Sequence, residues 1–194
     1  MHKFMMKLAR SMAAIGGLVL SLLIVLTCLS ISGRLLNGFF HGDLMASLAP
    51  EFAEWMIAIG VGPINGDFEV VEAGVAFAIF AFLPLCQITA GHASVDILVN
   101  SFSRGASRFL RMVTELAFAM VLILIAWRLG AGMLSKFNNG ETSLLLEFPV
   151  WWAYSASLVA AVVAAIVGVY MGAVRTIEFL TGRILIWDGV ETDH

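Results

Sequence analysis

The chain has 194 residues, of which 60% are hydrophobic and only 13% charged, whereas a water-soluble domain of this size carries about 25% charged residues. So little polar surface cannot cover a soluble globule, and the length allows one domain. A net charge of −3 without any Arg/Lys tract excludes a nucleic-acid partner.

Four apolar stretches reach the length of about 20 helical residues that crosses a bilayer. The first, 12–33, follows Lys3, Lys7 and Arg10. Its apolar core is too long for a signal peptide and no clear small-x-small cleavage site follows, so it reads as a retained helix closed by Arg34. The connection 34–67 is acidic, with Asp43, Glu51, Glu54 and Asp67. Within it, 44–59 has a weak helical pattern that includes Trp55 and is expected to lie along the outer interface. Gly60, Gly62, Pro63, Asn65 and Gly66 then form a turn-rich break.

The second span, 68–90, opens with Glu69 and Glu72 on one helical face and carries Pro84 deep inside, which predicts a kink. A charge at the bilayer centre costs about 2.5–3.5 kcal/mol on insertion scales. Arg34 ends the first span at the level where Glu72 begins the second, so an Arg34–Glu72 ion pair is expected. The other reading, a proton or sodium site at these glutamates, lacks further convergent ligands.

After this span, Asp96, Asn100, Arg104 and Arg108 recur every fourth residue, with Val95, Leu98, Val99, Phe102 and Phe109 opposite. The pattern predicts a short helix in the interface, its arginines toward headgroups. A cytoplasmic extension of the third span is the other reading. That third span covers 109–132, where Arg111 and Glu115 stand four apart.

The fourth span, 149–173, begins at Pro149, placed for a first helical turn. Trp151, Trp152 and Tyr154 follow as an interfacial aromatic belt. Ala156, Ala160, Ala164, Gly168 and Gly172 then recur every fourth residue as a close-packing stripe. Its mate is either another helix of this chain or a partner; both stay open.

Eight of the 11 Lys and Arg residues (Lys3, Lys7, Arg10, Arg104, Arg108, Arg111, Arg175, Arg183) fall on one side of such a four-span plan. By the positive-inside rule both termini are expected in the cytoplasm. The fold class that follows is an all-α integral membrane protein with four transmembrane helices and a short interfacial helix between the second and third.

Little in the chain suggests chemistry. Cys28 and Cys86 sit singly in apolar runs without a CxxC. His2, His41, His92 and His194 fall in loops or termini, where they cannot ligate haem from facing helices. His92, Ser94 and Asp96 are loop neighbours whose spacing implies no triad. No catalytic residue, metal site or cofactor is expected, and the chain does not read as an enzyme.

Taken together, these features resemble the small membrane subunit of tripartite ATP-independent periplasmic (TRAP) transporters, the DctQ type. The resemblance spans nearly the whole chain. It rests on the four-span plan with a basic N-terminus, Arg34, Glu72, Gly91-His92 with Val95-Asp96, and Phe148-Pro149-Val150-Trp151-Trp152-Ala153-Tyr154. Family members often have glycine after the apolar FL pair, where this chain has Pro84, and a basic residue before Gly-His, which is missing here. The resemblance implies a three-part importer of the bacterial inner membrane. In it a periplasmic binding protein captures an organic acid and a large membrane subunit moves it with a sodium gradient. The small subunit, surrounded by membrane lipids, holds the large one and helps dock the binding protein. The chain lacks the inverted repeats and broken helix pairs of a transport site, and it lacks a phosphate loop. A stand-alone small multidrug-type exporter and the membrane anchor of a respiratory complex are the competing readings, and the transported substrate is left open.

Overall fold

Residues 1–89, 104–182 and 185–186 are described by the structure, a computed structural model. In chain order its helices are α1 (His2–Phe40), α2 (Asp43–Leu48), α3 (Pro50–Ala58), α4 (Asp67–Ile88), α5 (Arg104–Asn139) and α6 (Trp151–Thr181). Among the described residues there is no β-strand, only an isolated bridge between Thr142 and Pro149. The protein is all-α, and α1, α4, α5 and α6 are each long and apolar enough to cross a membrane. The expected interfacial helix around Asp96 and Asn100 lies largely outside the described residues, and from Arg104 onward the chain belongs to α5.

Three of the long helices overrun their apolar cores. At about 1.5 Å per residue, the 39 residues of α1 extend about 58 Å, nearly twice the roughly 30 Å hydrocarbon layer. No proline interrupts α1, and the first turns are built from Lys, Met, Leu, Ala and Arg, all strong helix formers. The helix therefore continues on both sides of 12–33. At the far end of α6, Gly182 adopts φ +68° and its N–H bonds the Glu178 carbonyl, a glycine stop of the usual left-handed kind.

The long helices do not close into a bundle. They form a row in the order α1, α4, α6, α5, each packed chiefly on the next. Small residues set the spacing at each step. Gly16 of α1 meets Ala78 and Ala81 of α4, and Gly74 of α4 receives Leu23 of α1. On α6, Ala164, Gly168 and Gly172 let α5 approach, while Val167 and Met171 form a core with Ala9 of α1 and Ile88 of α4. Pro84 is fully buried within α4.

Both described ends of the chain lie at one end of the row, the terminal end. There the phenol of Tyr170 is 3.4 Å from Nδ1 of His2, Phe109 packs on Phe179, and Ile186 packs against the Ala9–Met171 core. The opposite, connection end carries residues 41–66 and 140–150.

Candidate functional site: the connection-end cleft and the faces of the row

At the connection end, α1 holds the chain that leads into α4. Ser30, Gly33 and Asn37 share one α1 face. The Ser30 hydroxyl accepts the Ile64 N–H at 3.3 Å, and the Asn37 amide donates to the Val61 carbonyl at 3.0 Å. Between them, Gly33 lies so near the Gly62 carbonyl that any Cβ would collide with it. Gly66, at φ +77°, turns the chain into α4.

Glu69 then fixes the second connection. Its two carboxylate oxygens accept the N–H groups of Leu145 and Leu146 at 2.8 and 3.0 Å, and the residue is buried. A carboxylate suits this position because it accepts two bonds in parallel without offering a donor. The 140–150 connection is otherwise folded on itself. The Ser143 N–H donates to the Phe148 carbonyl at 2.9 Å, and the Val150 N–H donates to the Glu141 carbonyl at 3.0 Å. The Glu141 carboxylate accepts from Lys136 at 2.5 Å and from Asn139 at 3.1 Å. These bonds to Lys136 and Asn139 hold the Glu141 carboxyl below its ordinary pKa.

Above α6, α4 and α5 separate toward this end and leave a cleft of about 480 Å³. Phe68, Phe80, Leu129, Phe148 and Tyr154 supply much of its apolar wall, and Glu69, Glu72, Ser143 and Ser157 are polar residues at its surface. Toward the terminal end α4 and α5 meet, where the Gln87 amide donates to the Glu115 carboxylate.

The expected Arg34–Glu72 ion pair is not formed. Glu72 is two residues, about 200° of helix, from Gly74, which packs on α1. It therefore faces the cleft instead. Arg34 is exposed. His92 and Asp96 lie outside the described residues. Pro149 lies before α6, not in its first turn, and pairs with Thr142 in the isolated bridge. Trp151 meets Phe137 edge to face with centroids 5.4 Å apart, and Trp152 is exposed. Tyr154 packs over Gly132.

The stripe of small residues is packed inside this chain from Ala160 to Gly172, while Ala156 is exposed. A Cβ on Gly168 would lie 3.0 Å from Leu122 Cδ1 and 3.5 Å from Ala119 Cα, and one on Gly172 would lie 3.4 Å from Leu116 Cδ2. The mate of Gly168 and Gly172 is thus α5.

Two polar features had little sequence signal. Arg175 pairs with Glu178 at 2.7 Å, with both side chains buried. Glu178 also accepts the backbone N–H groups of Leu185 and Ile186 at 2.7 and 2.9 Å. Arg175 reads as a tail residue if the helix is stopped with the apolar run at Ala173. The signal for the pair was the absence of a helix breaker before Gly182, which puts Arg175 and Glu178 three apart on one helix. The Gln87–Glu115 contact joins two spans and has no local signature.

A family model described as tripartite ATP-independent periplasmic transporters, DctQ component, matches residues 23–178. No curated protein and no solved structure matches the chain.

Proposed function

This chain belongs to the DctQ family, the small membrane component of TRAP transporters, and on that basis we propose that it works as the scaffold of a sodium-driven organic-acid importer. In this role it holds the large membrane subunit and presents part of the surface on which a periplasmic binding protein docks. The observation that favours a scaffold is the open row of helices. In α5 only Ala119 and Leu122 are buried hydrophobics, while Val113, Met120, Ile123, Leu124 and Trp127 stand exposed. Along α1, Leu18, Leu22, Val25 and Leu29 are likewise exposed. Apolar faces of this extent at the two edges of the row suit lipid and a second membrane protein.

With the termini in the cytoplasm of an inner-membrane protein, the terminal end collects Lys3, Lys7, Arg10, Arg108 and Arg111, as the positive-inside rule requires. The connection end then faces the periplasm, and the acidic Glu51 and Glu54 of α3 lie on the docking side. Specificity for the organic acid resides in the other two proteins.

Co-expression tests this reading. A tagged copy of this chain, solubilised in mild detergent, should retain the large subunit. Proteoliposomes containing both should take up organic acid when supplied with binding protein and a sodium gradient. Full uptake by the large subunit and binding protein without this chain would remove the scaffold role. For orientation, cysteines introduced singly at positions 45 and 139 should react with an impermeant thiol reagent in cells, and one at 104 should not. The reverse pattern would invert the assignment.

A further inference from the structure

We propose that α3 is an interfacial membrane anchor, seated by Phe52 and Trp55 in the boundary between headgroups and acyl chains at the connection end of the row. α3 is a short helix outside the four spans. Phe52 and Trp55 are three apart, about 60° around the helix, and their exposures are 47% and 59%. Ile59, which caps the helix, adds a further exposed apolar side chain on that side. Ala53 is buried on the side turned toward the protein, and α3 packs on α1. Glu54, two residues from Phe52, lies about 160° from it, while the exposed Glu51 in the first turn borders the aromatic face, about 100° from Phe52 and about 40° from Trp55.

What covers the aromatic face follows from its continuity with α1. The exposed apolar surface of that spanning helix continues past Arg34 through Leu35, Leu36 and Phe39. From there ring contacts, passing through the buried Phe40, lead onto α3. Phe39 and Phe40 have centroids 5.7 Å apart, Phe40 and Phe52 6.0 Å, and Phe52 and Trp55 6.1 Å. The exposed Phe39 of α1 and Phe52 of α3 therefore flank one buried ring, which sets the aromatic face of α3 beside the exposed apolar surface of α1. Aromatic side chains, tryptophan above all, favour this depth, where an apolar ring and a polar N–H are both accommodated. Pro50 in the first turn and the break at Ala49 redirect the chain so that α3 starts afresh beyond the end of α1. In this seating Glu54 points to water.

The test uses the full chain with Cys28 and Cys86 replaced by alanine, reconstituted in phosphatidylethanolamine–phosphatidylglycerol vesicles, alone and with the large subunit. A nitroxide is attached at Phe52→Cys, which gives up the ring contacts with Phe40 and Trp55, or at the exposed Glu54→Cys. At Phe52→Cys, collisions with oxygen, which concentrates in lipid, should exceed those with a water-soluble nickel complex in both preparations. At Glu54→Cys the nickel complex should dominate. A second measurement leaves α3 intact: in a variant with Trp127, Trp151, Trp152 and Trp187 changed to phenylalanine, Trp55 emission should be lost in vesicles whose lipids are brominated near the headgroup. Dominance of the nickel complex at Phe52→Cys, or Trp55 emission unaffected by brominated lipid, would overturn the anchor. Loss of both oxygen and nickel collisions at Phe52→Cys once the large subunit is added would also overturn it, by showing a protein cover.

Discussion

Gly168→Leu should destabilise the chain itself, since the face it occupies is already filled by α5. A single Cβ at this position stands 3.0 Å from Leu122 Cδ1, the movable end of a side chain, and 3.5 Å from Ala119 Cα, which is backbone. Alanine therefore requires only a small shift of Leu122. The three further carbons of leucine have no such outlet and must push α5 outward. Overpacking of this kind costs about 1–3 kcal/mol, and for a chain of this size each kcal/mol moves the melting temperature by about 2–4 °C. The assay is the thermal stability of the detergent-solubilised chain without partners, read beside recovery of the large subunit. Ile166→Leu is the proper control because Ile166 is 46% exposed. Val167→Leu, which the stripe alone marks as harmless, is no control, since Val167 is wholly buried. We expect Gly168→Leu to lose both stability and partner, with Gly168→Ala close to the parent. Unchanged stability for Gly168→Leu would refute the α5–α6 packing.

Other consequences are as direct. Gly33→Val should disrupt the seating of residues 61–64 on α1, seen as faster cleavage by added protease at the 60–66 turn, whereas Gly17→Ala, with open space around it, should change nothing. Glu69→Gln keeps one acceptor where two N–H groups need one, so a cysteine placed at position 145 should label faster with a thiol reagent in that background than in the parent. Glu178→Leu breaks the buried contact with Arg175 and should cost about 3–5 kcal/mol, while the double change Arg175→Met with Glu178→Leu should recover only part of that loss in a thermal melt, because the Leu185 and Ile186 N–H groups still lack their acceptor. Because the Glu141 carboxyl is lowered in the fold, its stabilising contribution is complete above the ordinary carboxylate range and is lost as pH falls through the lowered value. The stability gap between the parent and Glu141→Gln should accordingly close on acidification from neutral pH to below about pH 4.

The spans were legible because bilayer length and apolar composition are local properties, written in runs such as 109–132. Helix ends outside the membrane were less legible. Neither the start of α1 at His2 nor the end of α6 at Thr181 coincides with the end of an apolar run: no glycine or proline interrupts the first turns of α1, and α6 continues until Gly182 stops it. The order of the row was not legible at all. Periodicity put Gly168 and Gly172 on one face but could not choose between α5 and a partner, and that choice depends on Leu116, Ala119 and Leu122 arriving opposite them. The same limit explains Glu72. Its depth beside Arg34 was readable from span boundaries, but its direction around α4 depended on which α4 face met α1. Gly74 and Ala78 settle that question, and neither is charged.

The acidic residues at the two ends of the row also bear on why the chain spends so few charges. Glu69 and Glu178 each gather two backbone N–H groups from a connection or tail, work that water would do in a soluble protein. Near a membrane an unmet N–H costs several kcal/mol, and one carboxylate meeting two of them fixes a whole segment against the helices. Glu69 is thus committed to the 140–150 connection, one N–H on each carboxylate oxygen. Glu72, its neighbour one turn on, has no such duty and opens on the cleft between α4 and α5. The two glutamates that the sequence pattern treats as a pair therefore have separate roles. If Glu72→Gln left assembly and uptake intact while Glu69→Gln loosened the connection, that separation would be demonstrated. Equal effects of both changes on the labelling of position 145 would show instead that they act on the loop together.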